Sequence, residues 1–438
     1  MKILFIQPKL NIKTNFLNRA IQIIQAEQFY YLHLCVYYLV SITPLKHSIK
    51  IIDERFGKVK IDEDYDLFVI TCSTPYAPRA YEIADNLRDK GKIVVLGGPH
   101  SSLMPEEAKE HADSVLVGEV DVIWPVLLDD FQRGELKPIY KQKGPVEPRH
   151  IKKIRMNDGN KIFFPTRVEA GRGCPNCCEF CLVQRIVGSS HRLRPVADVI
   201  AEIKLTKSKF INFDDSSLTI DLDYTKKLFR ELAPLHKKFF GCGNVDVLSR
   251  DDELLKLACK AGFIAWFVGF ESFSDKTLKN VGKKTNSVAQ YKSVVEKLHE
   301  NKMAVMGSFM FGFDTDDPDV FDKILDDVMG LGVDSADFNI LGIYPGTSLF
   351  VQFEKEGRIL TKDWSKYNFG QVVFKPKNMT KEFLEAEAWR ISKEFYSIKN
   401  ILKLSIKSAK LGFYPFMVVT IKNVSLRRFY RSWKILYK

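Results

Sequence analysis

Short apolar runs alternate with helix-like segments along most of this chain, and that alternation admits few architectures. In the first part the runs KILFIQP, SIKIIDE, DLFVIT, KIVVLGG and SVLVGE are too continuously apolar to have one wet face, which is how strands buried on both sides read. Between them PRAYEIADNLRDKG has helical periodicity and ends at Gly91, and PEEAKEHAD opens with proline followed by acids, a helix start. The pattern predicts an α/β domain with a parallel, doubly wound sheet whose ligands bind beyond the carboxyl ends of the strands. Those ends carry Pro8, Ser73, Thr74, the stretch Gly97, Gly98, Pro99, His100, and the pair Gly118, Glu119.

The texture changes in GELKPIYKQKGPVEPRHIKKIRMNDGNK, which is rich in Pro, Gly and Lys and reads as a linker with a short hairpin. A second series follows: TRVEA, KFINFDD, FFGCGNV, AWFVGFES, AVMGSFMFGFD and ADFNILGIYPGT, with helical segments between. Successive strand–helix units predict a parallel barrel or partial barrel with its site at the strand C-terminal ends. We therefore divide the chain into 1–140, a linker 141–160, a barrel 161–350 and a helical region 351–438. With 438 residues, several domains are expected.

Four of the eight cysteines fall in EAGRGCPNCCEFCLV. Such crowding does not resemble a spaced disulfide framework, so a reducing compartment and metal ligation are expected. No stretch approaches the ~18 apolar residues that span a bilayer, and no signal peptide is recognisable, so a cytoplasmic location is expected. The scattered Cys35, Cys72, Cys242 and Cys259 read as core residues. One parse of the cluster, C-x2-C abutting C-x2-C, would place four thiolates on one small ion. Structural zinc sites separate their pairs by a dozen or more residues, and the adjacent Cys177 and Cys178 can hardly both face one ion. The other parse, C-x3-C-x2-C, uses Cys174, Cys178 and Cys181. It suits an iron–sulfur cubane held by three thiolates, with one iron open for a ligand. Cys177 is then an extra thiol beside the cluster.

This spacing after an apolar strand, with Gly173, Pro175 and the aromatic Phe180, resembles the signature of the radical SAM enzymes. The resemblance implies a partial (β/α)6 barrel and a 4Fe-4S cluster. It also implies S-adenosylmethionine (SAM) chelated by the open iron and cleaved to a 5'-deoxyadenosyl radical, with a reductant such as flavodoxin or ferredoxin. FINFDDSS looks like the second-strand segment of the family, where Asp214 or Asp215 would accept a hydrogen bond from the SAM ammonium group. Each also has the simpler reading of a helix cap, and adjacent strand residues face opposite ways, so one of the two faces away. FVGFES looks like the fourth-strand segment, where Glu271 would meet SAM at its ribose or amino acid end.

An open sheet ahead of such a barrel resembles the cobalamin-binding subfamily, which includes hopanoid methylases. That resemblance implies cobalamin beside Ser73, Thr74, Gly97, Gly98 and Gly118, and methylation of an unactivated carbon on a small molecule, a lipid among the candidates. Other radical outcomes such as oxidation, cyclisation or coupling are the alternative. The D-x-H-x-x-G motif that supplies a cobalt ligand elsewhere is absent; His100 either faces the cofactor or sits in a turn. No phosphate-cradling loop is present, since Gly282, Lys283, Lys284, Thr285 lack the upstream glycine.

Net charge is +12, yet Lys399 to Lys438 contains ten Lys/Arg and no acid, leaving only +2 for the rest. In SLRRFYRSWKILYK the cations Arg427, Arg431, Lys434 and Lys438 recur on one helical face. Leu426, Phe429, Tyr430, Trp433 and Tyr437 recur on the other, and Lys399, Lys403, Lys407 and Lys410 repeat the theme upstream. Such a helix either docks its aromatic face on the barrel or lies peripherally on the inner membrane face. Segregation of cations from aromatics speaks against a nucleic-acid stacking surface. Against the enzyme stands a non-catalytic RNA- or membrane-binding protein whose cysteines merely staple a loop.

Overall fold

All five apolar runs of the first series form strands in the computed structural model, which describes residues 1–10, 33–57, 59, 64–151 and 165–436. They are β1 (Lys2–Gln7), β2 (Ser48–Asp53), β3 (Leu67–Thr71), β4 (Val94–Gly97) and β5 (Ser114–Val117). Every residue of β3, β4 and β5 is buried, as two covered faces require. The segment read as a linker hairpin instead supplies a further strand, β6 (Ile139–Lys141), which pairs parallel with β5. Three residues with one buried side chain are too short for an apolar run to show. The sheet order is β2-β1-β3-β4-β5-β6 and all pairings are parallel. Winding reverses between β1 and β3, which opens a crevice at their carboxyl ends.

The second series forms β7 (Thr166–Val168), β10 (Phe210–Phe213), β11 (Lys238–Cys242), β12 (Phe263–Glu271), β13 (Ala304–Phe311) and β14 (Ser335–Ile340). They make one parallel sheet in the order β14-β13-β12-β11-β10-β7, whose end strands do not pair, so the barrel is partial. A two-stranded antiparallel piece, β8 (Gly171–Arg172) and β9 (Arg192–Leu193), brackets the cysteine loop. Its strands are shorter than any periodicity signal. Between the sheet and its helices lies a run of stacked rings, Phe213, Phe239, Phe263 and Trp266, all essentially inaccessible.

The carboxyl edges of the two sheets meet. Leu103, after β4, packs on the backbone of Gly346 after β14, and Trp364 Nε1 donates to Glu107 Oε1 at 2.8 Å. At the opposite end, Val419 of the terminal helix Phe413–Leu436 packs on Ala265 and Ala304, and Lys422 Nζ reaches Asp337 Oδ2 at 3.2 Å. The aromatic face of this helix is docked: Leu426 is buried, Tyr430 stacks on Tyr396 with centroids 5.7 Å apart, and Trp389 Nε1 donates to the Tyr430 carbonyl. The side chains of Trp433, Lys434, Tyr437 and Lys438 lie outside the described residues. Among the described residues no helix is long and apolar enough to cross a membrane. Of the cysteines read as core, Cys72 is buried and Cys242 half-buried, but Cys259 is exposed. Its helix, Asp252–Ala261, buries the face of Leu254, Leu255, Ala258 and Ala261, and Cys259 falls just off it. The Cys35 side chain lies outside the described residues.

Candidate active site

The cysteine loop leaves β8 through Gly173, whose φ is +85° and where a Cβ would stand 2.1 Å from the Ser190 carbonyl oxygen. Only glycine fits that approach. Cys174 N–H then donates to the Gly188 carbonyl, Glu179 N–H to Val281, and Cys181 N–H closes a turn on Cys178. Cys174, Cys178 and Cys181 are each half-buried, whereas Cys177 is exposed, its sulfur 3.5 Å from Gln184 Nε2. Burial pushes the Cys178 thiol up to about 11 and raises Cys181 as well. Sulfurs so placed ionise readily only when a cation joins them. The ring of Phe180 packs on Phe313 with centroids 6.4 Å apart.

Glu271 ends β12 beside this loop with φ +66°, a left-handed conformation uncommon outside glycine, following a register shift in the pairing with β13. Asn286 Nδ2 holds the bend by donating to the carbonyls of Gly269 and Phe270, and the Tyr291 hydroxyl donates to Phe270 and Ser272. The carboxylate of Glu271 is nearly buried and pairs with Lys283 Nζ at 2.9 Å. Lys283 stays charged because Glu271 and the neighbouring sulfurs of Cys178 and Cys181 offset its burial. No motif in the sequence marks Lys283 as part of the site; its pairing with a residue twelve positions earlier depends on the β12 bulge.

Asp215 is fully inside, and its carboxyl accepts the N–H groups of Ala170 and Gly171 at 2.9 and 2.6 Å. Burial pushes it up to about 8. It braces the strand that leads into the cysteine loop. Asp214 points the other way, to Arg167 at 2.6 Å and to Asn212 Nδ2 at 2.7 Å.

A buried ion cluster, absent from the sequence reading, ties this loop to the N-terminal sheet. Arg172, two residues before Cys174, reaches Glu169 (2.7 Å), Glu119 (3.0 Å) and Asp121 (2.8 Å). Arg192 reaches Glu119 at 2.8 Å. The Tyr38 hydroxyl donates to Asp121, and its ring lies under the Arg172 guanidinium. Apart from Glu169, three residues before Arg172, these partners are too far apart in the chain for any spacing rule to connect.

Across the interface, Ser73 follows β3 with a buried hydroxyl, and Gln7 ends β1 with a buried Oε1, neither of which has a hydrogen-bond partner among the described residues. Two orphaned polar atoms at the switch point are what a polar cofactor edge would satisfy. Thr74 instead contacts His100 Nδ1 at 3.2 Å, and His100 Nε2 meets Glu107 at 3.3 Å. The His100 ring is wholly buried, and these two contacts engage both of its nitrogens. Gly98, at φ +121°, sits where a Cβ would stand 2.8 Å from the Cys72 carbonyl oxygen, so packing alone demands glycine there. Gly97 lies against Leu116, and Gly118 N–H donates to Ser102 Oγ.

Three half-buried thiols beside a buried Lys–Glu pair are the donor type that iron–sulfur clusters take, and the orphaned polar atoms of Ser73 and Gln7 suit the polar edge of a second cofactor. The arrangement is that of a radical SAM enzyme facing a cobalamin domain, and the chain belongs to this family. The family model for the radical SAM superfamily matches residues 168–328 and that for the B12 binding domain matches residues 37–128. Among curated relatives, bacteriochlorophyllide d C-12(1)-methyltransferase of Chlorobaculum tepidum is 30% identical over 88% of this chain and 86% of its own length. The C-8(2)-methyltransferase of the same organism is 31% identical over 84% and 86%. The solved structure of the radical SAM methyltransferase TsrM from Kitasatospora setae, with cobalamin and a [4Fe-4S] cluster bound, shares the fold. Its TM-score is 0.68 at 14% identity over 98% of this chain and 99% of that one. The protein is a cobalamin-dependent radical SAM methyltransferase, using a 4Fe-4S cluster, SAM and cobalamin.

Proposed function

We propose that the chain methylates an unactivated carbon of a bulky, largely apolar small molecule. Support comes from relatives named as methyltransferases of bacteriochlorophyllide d and as a hopanoid C-2 methylase, the last at 22% identity. Both names denote large ring systems, one of them a lipid. The observation that carries the reading is the meeting of the two sheet edges, which sets the three thiols and the Ser73 crevice on opposite sides of one interface.

In this reading Cys174, Cys178 and Cys181 hold the cluster, and Phe180 shields its edge from water. Glu271, locked by Asn286 and Tyr291, orients SAM at its ribose or amino acid end, with Lys283 setting the carboxylate's direction. Asp214 faces SAM's ammonium group, while Asp215 holds the backbone behind the loop. Ser73 and Gln7 contact cobalamin, and Thr74, Gly97, Gly98 and Gly118 shape the crevice around it. When bound, these groups supply a 5'-deoxyadenosyl radical and a transferable methyl group. Domain limits near 140, 160 and 350 follow from the same division. An external one-electron donor such as flavodoxin or ferredoxin is required, and the enzyme works peripherally on a membrane, where an apolar substrate would partition.

Anaerobically reconstituted protein incubated with SAM, cobalamin, reductant and bacteriochlorophyllide d or a hopanoid should yield 5'-deoxyadenosine and a product heavier by one methyl group. Formation of 5'-deoxyadenosine with an oxidised or cyclised product would favour the other radical outcomes. A colourless protein holding one zinc would end the reading.

A further inference from the structure

We propose that the helix Ile398–Ala409 and the turn that follows it form the face by which the protein docks on an anionic lipid bilayer. This deepens the peripheral association proposed above and rests on it, but places it elsewhere than on the aromatic side of the tail, which is docked on the protein itself.

Ile398, Leu402 and Ile406 recur every four residues, so they lie in one line along the helix. They are 59%, 57% and 68% exposed, while the opposite line of Ile401, Leu404, Ser405 and Ser408 is buried. Phe413, at the start of the next helix, is 70% exposed. The helix thus has two apolar faces, of which the fold uses one. Beside the exposed line stand Lys399, Lys403 and Lys410, all exposed, and no acid follows Glu394 in the sequence.

The neighbouring surface has the same sign. Tyr414 next to Phe413 lies between Lys209 Nζ at 5.0 Å and Lys238 Nζ at 4.7 Å, the residues that lead into β10 and start β11. The face therefore lies at the amino ends of the barrel strands, away from the cysteine loop, which leaves the site open while the protein is bound. An exposed aliphatic row edged by lysines matches the layered chemistry of an anionic bilayer, apolar within and negative at its surface. An acidic protein partner or a second copy of this chain would use the same residues differently. A second copy brings the same positive charge, which opposes pairing.

The test is co-flotation of the full-length protein with vesicles of phosphatidylcholine alone or mixed equally with phosphatidylglycerol. Binding to the mixed vesicles, weakened by salt, is expected, with little to the neutral ones. Lys399→Gln or Lys403→Gln should each weaken it about fivefold, as one lysine near an anionic surface does. Leu402→Asp with Ile406→Asp should abolish it, while the variant still forms 5'-deoxyadenosine from SAM. If the parent protein does not float, both the association and this face are wrong. If the parent and the double variant float alike, the association stands and the face is wrong. Self-association that the double variant abolishes in sedimentation velocity, without vesicle binding, would give the face to a second copy and overturn the proposal. Should the double variant fail to fold, Lys399→Glu with Lys403→Glu, both exposed positions, reads the same outcomes.

Discussion

Glu119 sits where two arginines converge, and its removal tests whether the ion cluster holds the cysteine loop to the N-terminal sheet. Its carboxylate accepts from Arg172 at 3.0 Å, from Arg192 at 2.8 Å and from the Val146 N–H at 3.0 Å, all out of solvent. In Glu119→Ala, Arg172 keeps Asp121 and Glu169. Arg192 keeps only carbonyls, among them those of Val146 and Val187. Breaking a buried pair costs about 3–5 kcal/mol because a charge is stranded. The surviving carbonyl contacts place this case near the lower end, at about 3 kcal/mol. For a chain of 438 residues melting as one unit, with an unfolding entropy of about 2.1 cal/mol/K per residue, that is a Tm about 3 °C lower. If the N-terminal domain melts separately, the fall in that transition is larger. Replacing Arg192 by Met in the same protein removes the stranded charge, so the double variant should recover part of the loss. Differential scanning calorimetry under anaerobic conditions, with iron content measured alongside, reads both quantities. An unchanged Tm in Glu119→Ala, or strictly additive losses in the double variant, would refute the claim that this charge cluster fastens the loop.

Alanine at Cys174, Cys178 or Cys181 should abolish iron uptake and visible absorbance on reconstitution, whereas Cys177→Ala should retain them; iron and sulfide assays decide. Asp215, raised by burial to about 8, binds its proton more tightly folded than unfolded. Its contribution is therefore complete below the unfolded value of about 4 and is lost as pH rises through about 8, and Asp215→Asn should flatten the stability–pH curve over that window in denaturant titrations. Gly98→Ala must shift the Cys72 backbone, 2.8 Å from the new Cβ, and a residue forced into that strained conformation should cost about 1–3 kcal/mol, with cobalamin uptake falling in parallel. Glu271→Gln should leave iron content unchanged but weaken SAM binding, seen as a raised KM for 5'-deoxyadenosine formation.

Local patterns carry local facts, and these were legible. The strand–helix alternation foretold every strand of the two sheets except β6, because a strand covered on two faces has no polar positions to interrupt it, as β3, β4 and β5 show. Spacing together with the family resemblance set Cys174, Cys178 and Cys181 apart from Cys177, and in the structure those three are half-buried while Cys177 is exposed. Glycine at 173 could be seen but not explained, because the oxygen that excludes a Cβ belongs to Ser190.

What the tertiary structure decided is everything that depends on partners remote in the chain. Arg172 and Glu119 are 53 residues apart, Glu271 and Lys283 meet across a bulge, and Asp214 and Asp215 differ only in whether Arg167 or the backbone of Ala170 and Gly171 lies opposite. The tail's amphipathic pattern likewise says that one face must be covered but not by what. Packing on Tyr396 and Trp389 answered that, and left the upstream row of Ile398, Leu402 and Ile406 uncovered. Periodicity records which residues share a face; only the approach of another element fixes whether that face meets protein or water.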